Sequence, residues 1–543
     1  MRRYSSLFLS FIAIVLCLAT ETRGQQFLQN GNFSGYFETN GQYYRPDSAI
    51  GAGDVPEKWL NNAFMGISYN YGNITAGVRY ESYLNALQGF DPNYKGNGIV
   101  NRFITYTGDK LTVTAGNFYE QFGNGLILRS YWEPNLGVDN SIDGVRAVFT
   151  PQNGIVIKGI IGRQRDFFTF GPGIVRGFDG EVQLNDALPA LASAKLRIGL
   201  GGSFVSKYQR DTKASYVLPE NVGAAAGRIN LGYGKFAFDA EYAYKINDPS
   251  QANFYTYNRG EAFFTNLTYS QKGLGVRLSG KRVDNMDYRS DRDVTGNRLL
   301  INYLPAVNRQ QTYRLATLYP YATQFLGEMG GSAEVYYNIK PKSKLGGPFG
   351  TKVLLSFAAV SDIERKNLDD TLGYTSDFLA IGDDRFYQEF TAEFTRKLSD
   401  KKKILVSYMY QIYDMKKLEG KGDQITAHLG VIDYTYRLTT TRSLRVDLEH
   451  LYTEQDRGNW AMALLEFNLN RSFSIAVFDE WNYGNDDPKK RTHYFNGLLT
   501  YVKGGTRVSC GWARQRAGLL CVGGVCRFVP ASNGPTVTIS SRF

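Results

Sequence analysis

Apolar and polar residues alternate one by one through most of this chain, in segments separated by tight turns or polar loops. Ala63, Met65, Ile67 and Tyr69 share one parity, opposite Asn62, Phe64, Gly66 and Ser68. After Gly72-Asn73, Ile74, Ala76, Val78 and Tyr80 stand opposite Thr75, Gly77, Arg79 and Glu81. The pattern returns at Ile229, Leu231 and Tyr233, reverses at Gly234-Lys235, and resumes at Phe236, Phe238, Ala240 and Tyr242, with Asp239 and Glu241 between them. Leu274, Val276 and Leu278 alternate with Arg277, Ser279 and Lys281, and Leu444, Val446 and Leu448 with Arg445, Asp447 and Glu449. A period of two is that of a β-strand, whose successive side chains point to opposite faces. One face of each strand is therefore greasy and the other charged.

A soluble sandwich and a membrane barrel both satisfy this period, and the ends of the chain favour the barrel. Arg2 and Arg3 precede an apolar run from Leu7 to Ala19, and Thr22-Arg23-Gly24 places small residues at the positions a signal peptidase reads. Residues 1–24 are predicted to be a cleaved signal peptide, with Gln25 as the new N-terminus. Leu16 before Cys17 argues against lipidation. At the other end, Val537, Ile539, Ser541 and Phe543 alternate with Thr536, Thr538, Ser540 and Arg542. This ending resembles the closing strand of a bacterial outer-membrane barrel, where a terminal Phe serves as the assembly signal. Strands of roughly ten residues joined by short turns and longer loops fit the same architecture.

The predicted fold is all-β: a single-domain transmembrane antiparallel up-and-down barrel spanning 25–543, with about 22–24 strands. Tight turns at Gly72-Asn73, Gly108-Asp109, Gln152-Asn153-Gly154, Gly234-Lys235, Lys272-Gly273, Lys401-Lys402, Asn470-Arg471 and Gly504-Gly505 are expected at the periplasmic end. The polar loops 84–97, 207–224, 285–311 and 482–491 are expected to face outward.

Composition sharpens this picture. Mean hydropathy is −0.32 and no apolar run after the leader approaches twenty residues, which excludes helical spans. The 38 Tyr against 5 Trp suit interfacial girdles better than one compact core. Net charge is +11, and removing residues 1–24, with three Arg and one Glu, leaves +9. No basic cluster or recognition helix points to nucleic acid. The expected partners are outer-membrane lipid and lipopolysaccharide phosphates, the barrel assembly machinery during biogenesis, and envelope proteins.

On the charged parity fall Arg79, Arg146, Lys158, Arg197, Lys245, Arg277, Lys281 and Arg445. With them fall Glu81, Asp179, Glu181, Asp239, Glu241, Asp447 and Glu449. Eight cations against seven anions predict a wet, ion-paired lumen wall of little net selectivity; cross-strand pairing alone would also account for any one of them. Between Phe118 and Arg146 the alternation fails. One reading is a loop folded into the lumen, constricting it with Glu120, Arg129, Glu133, Asp139 and Asp143; the other is an outer loop. Pro320 within Tyr313–Tyr321 denies a ladder donor, so that stretch is read as a plug-like or rim element.

Cys521 and Cys526 flank Val522-Gly523-Gly524-Val525, a loop short enough to close a disulfide. Cys510 falls on the lipid-facing parity. No metal or cofactor motif is present. His428, His450 and His493 are assigned to lumen-facing, lipid-facing and loop positions, and no phosphate loop, zinc motif or nucleophile elbow occurs. No enzyme is predicted. The acid-rich run from Asp284 and Asp287 to Asp291 and Asp293 could hold calcium, but an Arg-paired surface loop is the simpler reading. No plug domain is seen, which disfavours energised uptake.

Three regions carry a resemblance. They are Tyr119-Glu-Gln-Phe-Gly-Asn-Gly with Leu136-Gly-Val-Asp-Asn-Ser-Ile-Asp-Gly, Thr317-Leu-Tyr-Pro-Tyr with Gly327-Glu-Met-Gly, and Gly523-Gly-Val-Cys-Arg-Phe-Val-Pro-Ala. Together they resemble an uncharacterised family of Bacteroidota outer-membrane β-barrel proteins. The resemblance implies fold and location and brings no catalytic residues. The functional expectation is a passive, porin-like channel for small polar solutes. The alternative is a scaffold or subunit of an outer-membrane assembly or secretion complex with a filled lumen, and a barrel-embedded hydrolase is a remote third.

Overall fold

The computed structural model describes residues 31–213, 215–369 and 373–543; the leader and its cleavage site at Gly24 lie outside the described residues. One 24-stranded antiparallel sheet closes on itself, beginning with strand Asn32–Tyr43 and ending with Ser532–Arg542. Each wall strand pairs with its neighbour in sequence, and the last pairs with the first through the register Tyr36↔Arg542 to Gln42↔Thr536. Three small two-stranded sheets stand apart from the wall, Trp132–Glu133 with Val138–Asp139, Lys366–Asp369 with Gly373–Thr375, and Gly518–Val522 with Val525–Val529. Among the described residues, helix is confined to single turns such as Leu184–Ala187 and Met415–Glu419.

Closure is completed by Phe543. Its N–H donates to the Gly35 carbonyl at 3.0 Å and its carbonyl accepts from the Gly35 N–H at 2.8 Å. A side chain on Gly35 would place its Cβ 2.6 Å from the Phe543 ring, so glycine is what lets the terminal ring cross the first strand.

The alternation of the sequence becomes two surfaces. Ile104, Tyr106, Phe178, Phe204, Leu278, Leu448 and Val477 are exposed on the outer surface, and Asn62, Phe64, Arg79, Glu81 and Asp179 are buried on the inner one. The turns at Gly72-Asn73, Gly108-Asp109, Gly234-Lys235, Lys272-Gly273 and Gly504-Gly505 join consecutive hairpins and so share one end. The longer connections share the other. Loop 285–311 departs from its expected place: Met286, Tyr288, Leu300 and Ile301 are buried inside the barrel. It leaves the rim because its apolar residues find partners in the lumen that water would not supply.

Replacing Gly35 with Leu should overpack the seam against Phe543 and destabilise the barrel by about 1–3 kcal/mol. Urea unfolding followed by tryptophan fluorescence would read this as a lower midpoint; an unchanged midpoint would show that the ring is not seated there.

Candidate functional site

Two wall connections turn inward, 119–141 and 285–326, and a hairpin built from Gly518–Val522 and Val525–Val529 lies against them. They are bonded into one body. The Arg129 N–H donates to the Ile301 carbonyl at 2.8 Å and the Tyr303 N–H to the Gly125 carbonyl at 2.9 Å. Asn140 Nδ2 and Gln164 Nε2 both donate to the Leu300 carbonyl, at 2.8 and 2.7 Å. A disulfide joins Cys521 to Cys526 in the hairpin. Around it, the Tyr303 hydroxyl donates to the Gly523 carbonyl at 2.6 Å and Asn297 Nδ2 to the Cys526 carbonyl at 2.8 Å.

The inward body has a core of its own. Phe122, Leu126, Ile127, Leu128, Ile301, Leu304 and Leu315 are fully buried, packed against the wall residues Val175, Val205, Val222, Ala243, Leu429 and Leu451. Tyr319 and Tyr321, flanking Pro320, sit in the same cluster after a single 3-10 turn, Leu315–Thr317. The inner parity of the wall is therefore divided. In strand Asn221–Tyr233, Val222, Ala224 and Ala226 face the inward body, and Arg228 and Asn230 follow toward the short turn. The expectation of an evenly wet lumen is corrected here: near the long loops the interior is a packed core. Near the short turns it stays hydrated, with the side chains of Arg197, Glu181 and Arg445 59%, 37% and 35% exposed.

Charged groups tie this body to the wall. Glu120 accepts from Arg146 Nε at 2.6 Å and Lys158 Nζ at 3.2 Å. Asp139 binds Arg79, Arg165 (2.6 Å) and the Tyr119 hydroxyl (3.0 Å), and Arg79 and Arg165 both also hold Glu81. Glu241 accepts from the Asn124 N–H and Nδ2 at 2.6 and 2.9 Å. Glu449 accepts the N–H groups of Arg314 and Leu315 at 2.9 and 2.7 Å, while Arg314 pairs with Glu480. Lys245 Nζ donates to the Asp287 carbonyl at 2.5 Å, and Lys281 pairs with Glu328 and donates to the Pro305 carbonyl at 2.6 Å.

The remaining inward charges pair along the wall. Asp179 and Glu181 hold Arg228 at 2.7 and 2.6 Å; Asp239 accepts from Asn266, whose oxygen accepts from Arg277. Arg445 holds Asp433, Asp447 and Glu466, and Arg197 holds Asp186.

Of the proposed constriction residues, Arg129 stacks over Tyr131 and Tyr303, and Glu133 accepts the Asn135 N–H at 3.2 Å. Asp143 is not in that loop. It lies in strand Ile142–Phe149 on the parity of the exposed Val145 and Phe149 and pairs with Arg102 on the outer surface. The strand resumes at Ile142, four residues before the broken alternation ends at Arg146. His428 shares the outer parity of Gly430 and Ile432 and meets the Tyr408 hydroxyl, so its lumen assignment is corrected too; His493 begins strand His493–Lys503 and pairs with Asp479. In the acidic run, Asp287 pairs with Arg289 and Asp293 with Lys213.

Sequence reading missed Arg165, Arg228, Glu480 and the buried pair Lys207–Asp248 (2.7 Å). Their signal was parity: Arg228 alternates with Ile229 and Leu231. Lys207 was hidden by placing the loop boundary at 207, one residue before the strand ends.

Burial by itself would raise the Asp139 carboxyl, but the Arg165 and Arg79 guanidiniums beside it hold it below the usual carboxylate range. A depressed folded value gives stability that is present above the unfolded value of about 3.9 and lost as pH falls through the folded one. Segment 119–141 should thus stay fixed from neutral pH down to the ordinary carboxylate range and loosen only below it. Amide exchange of that segment reads this, and Asp139→Asn should abolish the acid step.

No curated protein matches the chain by sequence. Among solved structures, the translocation pore of the P pilus usher PapC is 11% identical over 94% of this chain and 99% of its own, with a TM-score of 0.45. The siderophore receptor PirA from Pseudomonas aeruginosa is 8% identical over 94% and 80%, with a TM-score of 0.40. A variant of OccD1 (OprD) is 8% identical over 96% and 97%, with a TM-score of 0.35. A family model described as "Family of unknown function (DUF6029)" matches residues 3–543, and the chain belongs to that family.

Proposed function

We propose that this chain is an outer-membrane barrel whose lumen is shut at rest by its own inward segments, serving as a gated subunit of an envelope assembly or transport complex. The observation that carries this is the fully buried seam of Phe122, Leu126, Ile127 and Ile301 against the wall, fastened at Glu120, Glu449 and Glu480. An open pore would have to hold such a seam apart in water. The exposed Ile, Leu, Phe and Tyr of the outer parity suit hydrocarbon, and a closed ladder leaves no edge to be satisfied there. A Bacteroidota source, export on a cleaved leader and insertion by barrel assembly machinery belong to the same reading. The protein acts by docking or conduction and not by bond-making chemistry.

A second reading, passive conduction of small polar solutes, draws on the hydrated charges near the short turns, Arg197, Glu181, Arg445 and Glu466. Planar-bilayer recording separates the two. The purified protein should be electrically quiet, and replacing 121–129 by a short Gly-Ser linker should open a large steady conductance. Steady current through the unaltered protein would instead establish the porin. Stoichiometric partners recovered from detergent-solubilised outer membrane would support the gated subunit.

A further inference from the structure

Four outward charges cluster on neighbouring strands of the outer surface. Arg102, Asp143, Arg163 and Arg176 share the parity of Ile104, Val145, Ile161 and Phe178, all of which are exposed. Register aligns them: Phe103 faces Gly116, Asn117 faces Asp143, Asp143 faces Arg163, and Arg176 faces Ile161. Arg102 Nη2 lies 3.2 Å from Asp143 Oδ2, and Arg176 Nη2 donates to Asn221 Oδ1 at 2.9 Å. Among the described residues, no carboxylate lies within ion-pair distance of Arg163 or Arg176. Of the three guanidiniums, Arg102 alone is paired with a carboxylate, that of Asp143. The outer parity of the strands beyond, Leu200 and Phe204, then Ile229 and Leu231, then Phe236 and Phe238, is uncharged.

An uncompensated arginine against hydrocarbon is strongly unfavourable, and depth in the apolar band makes it more so. The stripe lies above a row of outward residues nearer the short turns, Tyr69, Ala76, Ile104 and Ala115. Small Ala76 and Ala115 leave a groove of about 550 Å³ there, walled by Ile67, Val78 and Ile104 and ending at Arg102. Four inter-strand steps separate Arg102 from Arg176, roughly 19 Å. That exceeds a single phosphodiester head and suits two phosphates on a broad one.

We propose that this face binds a lipid bearing two phosphates on a wide headgroup, with the phosphates on Arg102, Arg163 and Arg176 and an acyl chain in the groove toward the short turns. Bidentate guanidinium–phosphate pairing would supply the anions the stripe lacks. The proposal rests on the outer-membrane seat given above, and deepens it by naming the lipid. It is independent of whether the lumen opens.

Delipidated full-length protein should be examined by native mass spectrometry with bisphosphorylated lipid A, its monophosphoryl form, phosphatidylglycerol and diacylglycerol. Bisphosphorylated lipid A should be retained about tenfold better than phosphatidylglycerol or diacylglycerol, with the monophosphoryl form between. The triple variant R102Q/R163Q/R176Q should lose this preference while still migrating as a folded, heat-modifiable barrel. Ala76→Phe, which fills the groove and spares the cations, should also weaken retention. Equal retention of phosphatidylglycerol, an unchanged triple variant, or a protein dimer occupying this face would overturn the assignment. Because lipid retention is read and not current, its failure leaves the gating question untouched.

Discussion

Everything in this molecule depends on the ladder closing, Tyr36 to Gln42 against Arg542 to Thr536 with Phe543 bonded to Gly35. An open sheet of this size would present two rows of unpaired N–H and C=O groups, and in hydrocarbon each such group costs several kcal/mol. Once the edge is removed, side-chain parity alone decides what meets lipid and what meets the interior. A strand slipped by one residue would send Arg79 outward and Val78 inward, so register and solvent choice are a single constraint.

Closure creates a lumen too wide for wall side chains to fill, and the chain fills the long-loop half with its own connections. Small apolar residues on the inner parity, Val175, Val205, Ala224 and Ala243, make room for Phe122, Leu126 and Ile127. Beyond the buried pair of Arg228 with Asp179, where the inner parity passes to Asn230 and Asp239, the inward body stops and water begins. The change within a single strand marks the floor of the plugged half.

Strand identity was legible because period two needs only local alternation, and that alternation is plain at Phe236–Tyr242. The inward segments were half legible. Broken alternation between Phe118 and Arg146, and Pro320, announced that these stretches leave the wall, but not which way they go. Direction depends on partners far along the chain, such as Ile301 for Arg129 and Glu480 for Arg314. The run Ala224-Ala225-Ala226-Gly227 hid the receiving wall, because small residues on both faces erase the contrast that alternation relies on. Asp143 was misplaced because the broken stretch was read on to Arg146, although strand Ile142–Phe149 already holds it, and His428 was put on the wrong face of strand Gln424–Arg437, where one residue is enough to exchange faces.

The fastening of the inward body mixes two kinds of contact that respond differently to movement. Its apolar seam loses stabilisation in proportion to the area exposed, whatever the direction of withdrawal. Its ion pairs do not strand charges when it withdraws, because water fills the vacated lumen and solvates Glu120, Glu449 and Glu480 in place of their partners. Losing one partner inside a dry core typically costs 3–5 kcal/mol, but pairs that separate into water cost far less. A body held by carboxylates at its wall contacts is therefore easier to remove and reseat than an all-apolar one of equal area. The disulfide hairpin is bonded to Tyr303 and Asn297 of one inward segment and, through Arg527 Nε, to the Asn135 carbonyl of the other, and so keeps the two together as one unit while that happens.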